Sequence, residues 1–389
     1  MITIIRNGEV YAPEYLGKKD IALINDKIGF VGNDVELSSS SIDITEIDAT
    51  GKIIVPGLID SHVHITGGGG EGSFHTRTPE LKLTDATLAG VTTVVGVIGT
   101  DGTTRTMTNL IAKARALNEE GITCYAMTGS YQVPVRTLTG RIEDDIMMID
   151  LILGTGEIAI ADHRSTQPTR EELARIASES RIGGMLSGKP GIVNIHVGDG
   201  KDQLRLIEEV VETTDVPMKQ FYPTHINRNR KLFEAGIQFA QQGGYVDFTT
   251  SALPNDSRGD LTSSRALKEM LDAGVPIDQI TFTSDAQGSL PRFNEKREFV
   301  GLGVGEIKSL LEAVRDAVLV EGIPLETAIR VSTANPATIL KLSQKGAIEK
   351  GKDADLTILS KGLLEVDTVF AMGQVMVQSG KTVVKGAFE

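Results

Sequence analysis

The stretch VPGLIDSHVHITGGGGEG, residues 55–72, constrains this chain more than any other. An apolar run with β-branched members leads into Asp60 and then into two histidines separated by one valine. In an extended strand, side chains alternate between faces, so His62 and His64 point one way while Val63 points back into packing. Two imidazoles on one face at a strand's end make half of a metal site. The glycines that follow let the backbone lie close to whatever binds there. A lone His-x-His pair is also at home as polar surface or as satisfied core. The rest of the chain has to supply the missing ligands.

At 389 residues the chain is long for one core, which suggests two domains or a barrel with an appendage. A net charge of −13 argues against a nucleic-acid footprint, which needs clustered Lys and Arg. It also means that any anion must be recognised locally. The single cysteine, Cys124, has no partner for an internal disulfide, and a reducing, cytoplasmic setting is expected. The opening MITIIRNGEVYAPE reads as strand and turn, not as a secretory leader. No apolar run reaches the roughly 20 residues needed to span a bilayer, so no membrane partner is expected.

Residues 1–54 alternate short β-like runs with turns (ITIIRNGEVY, DIALINDKIGFVG, SIDITEIDATGKIIV), and 346–389 repeat the style. Two β-rich ends around a different middle suggest a small β-sandwich domain split between 1–54 and 346–389. The middle, 55–345, alternates. After VPGLIDSHVH come VTTVVGVIGT, ITCYAMTGSY, EIAIADHR, IVNIHVGD, QFYPTHINR, YVDFTTS and ITFTSDAQGS. Helix-like segments such as TNLIAKARALNEEG and REELARIASESRIGG separate them. Eight strands alternating with helices predict an α/β fold, a (β/α)8 TIM-type barrel with its active site at the C-terminal strand ends. An open doubly wound sheet is the competing architecture.

The histidines obey that geometry. The chain has six, His62, His64, His75, His163, His196 and His225, and all but His75 stand at or just beyond predicted strand ends. The eighth strand ends in Asp285. In a barrel His62, His64, His196, His225 and Asp285 meet at one mouth, and imidazole with carboxylate suits zinc-like divalent ions. Five ligands exceed one four-coordinate zinc. Two ions need a bridging anion, for which Glu157, at the start of EIAIADHR, is the candidate. Arg164 and Arg228 offer forked donors for carboxylates. Tyr131 is placed to meet a developing oxyanion, and Glu71 to meet an ammonium group. Each of these has a plainer reading as a salt bridge, a buried hydroxyl or a loop carboxylate. Asp162 and His163 read either as support for the ligands or as purely structural residues.

In order along the chain, VPGLIDSHVH, IHV, THINR and TSD resemble the amidohydrolase superfamily of metal-dependent barrels. GGGGEG, TRTPE, TGSYQVP, DHRS, SGKPG, THINRN and TSDAQGS are similar, more narrowly, to the isoaspartyl dipeptidases, and the likeness runs over nearly the whole chain. That resemblance implies hydrolysis of β-aspartyl dipeptides at two divalent ions, zinc being the expected metal. It also implies a homo-oligomer, such as an octamer. His62 and His64 would hold the more buried ion, His196 and His225 the more exposed one, and Asp285 would serve as ligand and acid/base. Glu71 would meet the substrate's ammonium and Tyr131 its scissile carbonyl. Arg164, Arg228 and Ser289 would contact its charged ends, with Gly69 and Thr100 as loop contacts. One position departs from the pattern. Where those dipeptidases carry a lysine that becomes a bridging carbamate, this chain carries Glu157, which is shorter but still a bidentate anion. The rivals are hydrolases of cyclic amides or N-acyl amino acids (dihydroorotase, hydantoinase or aminoacylase types) and a non-catalytic barrel.

Overall fold

The computed structural model describes residues 2–37, 43–251, 261–293 and 299–389. The first two residues of SIDITEIDATGKIIV, 41–42, therefore lie outside the described ones. The alternating middle forms eight parallel strands: Leu58–Val63, Val91–Gly96, Thr123–Thr128, Ile152–Ile160, Ile192–Val197, Phe221–Thr224, Val246–Thr249 and Ile280–Thr283. The first six pair in chain order in one sheet and the last two pair with each other. Two seams close the ring. The Ile226 amide donates to the Asp247 carbonyl at 3.1 Å, and the His64 amide donates to the Ala286 carbonyl at 2.9 Å beside the Val63–Ala286 bridge. The chain folds as a barrel, not as an open sheet.

Period-two alternation sorts side chains between two apolar layers. Val193, Ile195 and Val197 pack outward against helices, and so do Phe221, Val246, Phe248, Ile280 and Phe282. Ile59, Val95, Val97, Met127, Ile192 and Tyr222 join a second cluster with Ala337, Ile339, Leu340 and Leu342 from the closing helical segment. The helix Arg170–Ser187 shows how local sequence sets an element's limits. Thr169 and Glu172 form a reciprocal capping box at its start, and Gly188, at φ 74°, ends it in the left-handed region. A helix this long presents Leu173, Ile176, Ala177 and Ser180 along one buried stripe.

Both chain ends enter one nine-stranded sheet. Ile2–Tyr11 pairs with Tyr15–Ile24, Ile44–Asp48 and Lys52–Pro56, and Lys52–Pro56 pairs antiparallel with Leu356–Ser360. Ile5, Val10, Ile21, Leu23, Ile54, Leu356, Ile358 and Phe370 form its own apolar cluster. A buried cation fastens this sheet to the barrel. Lys345, with 4% of its side chain exposed, reaches Asp355 at 2.6 Å, Asp353 at 2.9 Å and Thr123 Oγ1 at 2.6 Å. Burial works against the ammonium, but the two carboxylates outweigh it and raise its pKa. Lys345→Met should therefore destabilise the fold by about 3 kcal/mol, because it leaves buried carboxylates uncompensated. Urea denaturation of the variant beside the parent checks this, and an unchanged midpoint would contradict it.

Among the described residues, no helix is long and apolar enough to cross a membrane.

Candidate active site at the barrel mouth

Of the six residues read as metal ligands, the four histidines converge on the carboxylate of Glu157, and Asp285 adjoins His62 and His64. His62 Nε2 lies 3.2 Å from its Oε2, His196 Nδ1 3.4 Å and His225 Nε2 4.0 Å, while His64 Nε2 lies 3.5 Å from Oε1. Asp285 Oδ1 sits 3.0 Å from His64 Nε2 and 3.8 Å from His62 Nε2. Two tight groups result, each with its ligand atoms within 4.8 Å of one another: His62, His64 and Asp285, and His62, Glu157 and His225. His196 borders the second group without belonging to it.

Those atoms are buried and lack ordinary partners. Both oxygens of Glu157, Nε2 of His62 and Oδ1 of Asp285 make no hydrogen bond among the described residues. Burying polar atoms unpaired is costly, so a cluster of them facing one point fits a bound cation. The charges agree. Burial opposes ionisation of Glu157, but His62, His196 and His64 outweigh it and hold its carboxyl well below the usual range. Burial alone would depress His62, yet Glu157 and Asp285 push it up to about 9. Burial and then the Arg228 cation keep His225 well below its usual value, hence neutral, with a lone pair to give. Donor set, burial and charge all fit divalent metal.

Strand positions account for the convergence, with two differences from expectation. Glu157 does not begin its strand but is the sixth of nine residues in Ile152–Ile160, because the Gly- and Thr-containing ILGT ahead of it also pairs. His64 lies just beyond its strand, and the ladder is irregular between Asp60 and Val63. That irregularity, as well as alternation, brings both rings to one place. Val63 does pack outward. Gly99 leaves the room: a Cβ there would stand 2.8 Å from His64 Cε1 and 3.3 Å from Glu157 Oε1.

Several supporting residues escaped the sequence reading. Asn194 Oδ1 faces His62 Nδ1 at 3.1 Å, and Thr249 Oγ1 faces His225 Nδ1 at 2.5 Å, so each ring turns its Nε2 to the cluster. Asp60 accepts the Ser284 amide at 3.2 Å, just before Asp285, and burial raises it to about 7. Asp247 accepts hydroxyls from Thr224, Thr281 and Thr283 at 2.5–2.7 Å, and burial raises it to about 6. A signal existed. Asn194 stands two residues before His196 in IVNIHV, and Asp247 two before Thr249 in VDFT, so polar residues at period two inside apolar strands mark the inner face.

Of the residues expected to hold a substrate, Arg164, Thr100 and Ser289 gather around Glu71. Its carboxylate lies 3.3 Å from Arg164 Nη1 and accepts the hydroxyls of Thr100 and Ser289, each at 3.1 Å. Gly69 adopts φ 71°, and a Cβ there would stand 2.5 Å from the Thr76 carbonyl, so the turn requires glycine. Gly69, Glu71, Phe74 and Thr100 help to line a cavity of about 180 Å³. Tyr131 is buried, with its hydroxyl 2.7 Å from His196 Nδ1, and burial raises its pKa well above the usual value. The Arg164 guanidinium lies 5.3 Å from the centre of its ring. Among the described residues, no hydrogen bond or ion pair is found for the Arg228 side chain, whose charge is felt by His225 and Tyr131. Asp162 hydrogen-bonds His196, whereas His163 is 83% exposed and His75 is also exposed. Of the two readings left open for His163, support for the ligands or a purely structural place, its exposure favours the second.

A parallel barrel with a histidine and carboxylate cluster at its mouth defines a class of hydrolase. The chain belongs to the amidohydrolase family, whose pattern it matches over residues 53–383. It is 46% identical to the β-aspartyl dipeptidase of Fervidobacterium islandicum AW-1, solved in complex with β-Asp-Leu, with a TM-score of 0.92 over 98% of this chain and 97% of that one. A D-hydantoinase structure, 18% identical with a TM-score of 0.69 over 99% and 97% of the two chains, shares the fold. The dihydroorotase of Listeria monocytogenes is 34% identical over 127 residues, which span 32% of this chain and only 28% of that enzyme. The protein is an enzyme, a hydrolase of this family.

Proposed function

We propose that the protein hydrolyses the isopeptide bond of β-aspartyl dipeptides, with two divalent ions, zinc by donor set, held by His62, His64, Glu157, His196, His225 and Asp285. What carries this reading is the ring of Glu71, Arg164, Thr100 and Ser289 beside the metal ligands, in a chain 46% identical to an enzyme solved with β-Asp-Leu. Divalent ions at such a site lower the pKa of water from 15.7 to about 7, which makes a nucleophile available at neutral pH.

The chain's own groups do the rest. Glu71 takes the substrate's α-ammonium, exchanging part of its contact with Arg164, and Arg164 and Arg228 take the carboxylates. Asp285 accepts the proton of the attacking water and returns it to the leaving amine as the carbon–nitrogen bond breaks, giving aspartate and a free amino acid. Tyr131 donates to the carbonyl oxygen as charge develops there. A cyclic substrate without an ammonium group, such as dihydroorotate, would leave Glu71 without a cation to pair. The barrel of residues 55–345 is the hydrolytic unit, and the split β unit supports it.

Release of leucine from β-Asp-Leu is the expected result, at least about a hundredfold faster than from α-Asp-Leu, since a misplaced carbonyl forfeits positioned catalysis. Ring opening of dihydroorotate at a comparable rate would overturn the assignment in favour of a cyclic-amide hydrolase.

A further inference from the structure

We propose that Asp162 is a positioning residue that couples the imidazole of His196 to the guanidinium of Arg164, so that metal binding and substrate recognition are one linked arrangement. The proposal rests on the metal and Arg164 roles given above, and its test needs no substrate.

One carboxylate holds both groups. Asp162 Oδ2 lies 2.9 Å from His196 Nε2 and 2.8 Å from Arg164 Nη2, and Oδ1 accepts Arg164 Nε at 2.9 Å and the Arg164 amide at 2.8 Å. An ionised carboxylate only accepts, so in the neutral imidazole of His196 the proton lies on Nε2 and Nδ1 keeps its lone pair, which the Tyr131 hydroxyl approaches at 2.7 Å. That Nδ1 is the nitrogen facing Glu157, at 3.4 Å. Arg164, held by the same two oxygens in a forked pair, extends the line to Glu71 at 3.3 Å. The sequence His196–Asp162–Arg164–Glu71 thus runs unbroken from the metal ligands to the group that meets the ammonium. Only 6% of the Asp162 side chain is exposed.

The alternative is a purely structural loop carboxylate. Electrostatics separates the two. Removing the cation of Arg164 near a metal site should tighten zinc binding if charge alone matters. If Arg164 acts through Asp162 to aim His196, its removal should weaken zinc binding instead.

The experiment measures zinc affinity by chelator competition on the full chain. Asp162→Asn is expected to weaken zinc about 10–100-fold, the usual cost of losing a ligand's supporting carboxylate. Arg164→Met is expected to weaken it about threefold or more, with no further loss when added to Asp162→Asn, because contacting partners are non-additive. Arg228→Met, whose side chain makes no bond to Asp162 among the described residues, should leave zinc affinity unchanged or tighter. Wild-type affinity in Asp162→Asn, or tightening in Arg164→Met like that in Arg228→Met, overturns the coupling. Additive losses would do the same, since Arg164 Nη2 also lies 3.3 Å from His196 Nε2 and would then be acting directly. Should Asp162→Asn fail to fold, the comparison of the two arginine variants decides alone. Failure of the β-aspartyl reading would appear only in turnover of β-Asp-Leu and would leave these affinities untouched.

Discussion

Replacing Glu157 with glutamine is expected to lower kcat/KM on β-Asp-Leu by more than about a hundredfold and to strip zinc from the protein. Loss of an outer supporting group typically costs 10–100-fold in metal affinity or activity, and Glu157 is closer to the centre than that. Its carboxylate lies within 3.2–4.0 Å of four imidazoles. Glutamine keeps the shape but replaces one oxygen with an NH2 group and removes the charge. His62 then loses the first of the three anions that hold it at about 9, and burial drives it toward the neutral form. The cluster would keep its histidines and lose the anion that, on the proposed reading, would let two cations sit close together. Zinc per chain, measured by elemental analysis after gel filtration, checks the metal half. A full complement of zinc with normal turnover would refute a bridging role. A companion expectation follows from the same residue. Because glutamate needs no carbon dioxide to become a bidentate anion, bicarbonate should neither raise the activity of dialysed protein nor be required for it.

Asp285→Asn is expected to lower kcat by about a thousandfold, within the range of 10²–10⁴ assigned to a positioned acid/base, while KM changes by less than about threefold. The separation is the informative part. Glu71, Arg164 and Arg228 would bind the dipeptide, and Asp285 would act on protons as the bond breaks. The residue is also set up for that duty. It adopts φ 53°, follows the Ser284 amide that Asp60 holds, and has its carbonyl bonded by the Gly288 amide at 3.1 Å. Of the carboxylates in the cluster it is the more open, with 15% of its side chain exposed against 0% for Glu157. Asparagine retains a ligating oxygen, so zinc should fall less than in Glu157→Gln. Steady-state kinetics on β-Asp-Leu, with zinc measured on the same samples, tests this, and a large rise in KM at constant kcat would assign Asp285 to binding instead.

Much of the barrel and its mouth could be read from residues alone, for a geometric reason. Strand ends of a parallel barrel converge, so a polar residue closing an apolar run carries positional information. His62, His64, His196, His225 and Asp285 all carried it. His163 satisfied the same rule yet points to solvent, because a residue one step further along a loop is no longer steered by the strand. The supporting groups were hidden differently. Asn194 and Asp247 lie inside strands rather than at their ends, and in a one-dimensional reading they look like interruptions of an apolar run. Only closure of the barrel turns the inner face into a polar floor. Lys345 was invisible for a related reason, since nothing in KLSQKGAIEK distinguishes the lysine that becomes buried from its exposed neighbours.

The pairing of Lys52–Pro56 with Leu356–Ser360 sets a schedule for synthesis. About 300 residues must be made between those two strands. At roughly 5–20 residues per second, the early strands would wait about 15–60 s for their partner to leave the ribosome. Throughout that time Lys52–Pro56 offers an unsatisfied edge of the kind that invites pairing with other chains. The barrel between them, built from neighbours in sequence, can form first. A nascent chain halted before residue 356 would then carry an aggregation-prone edge, so holdase chaperones should bind stalled chains of this protein at their N-terminal strands.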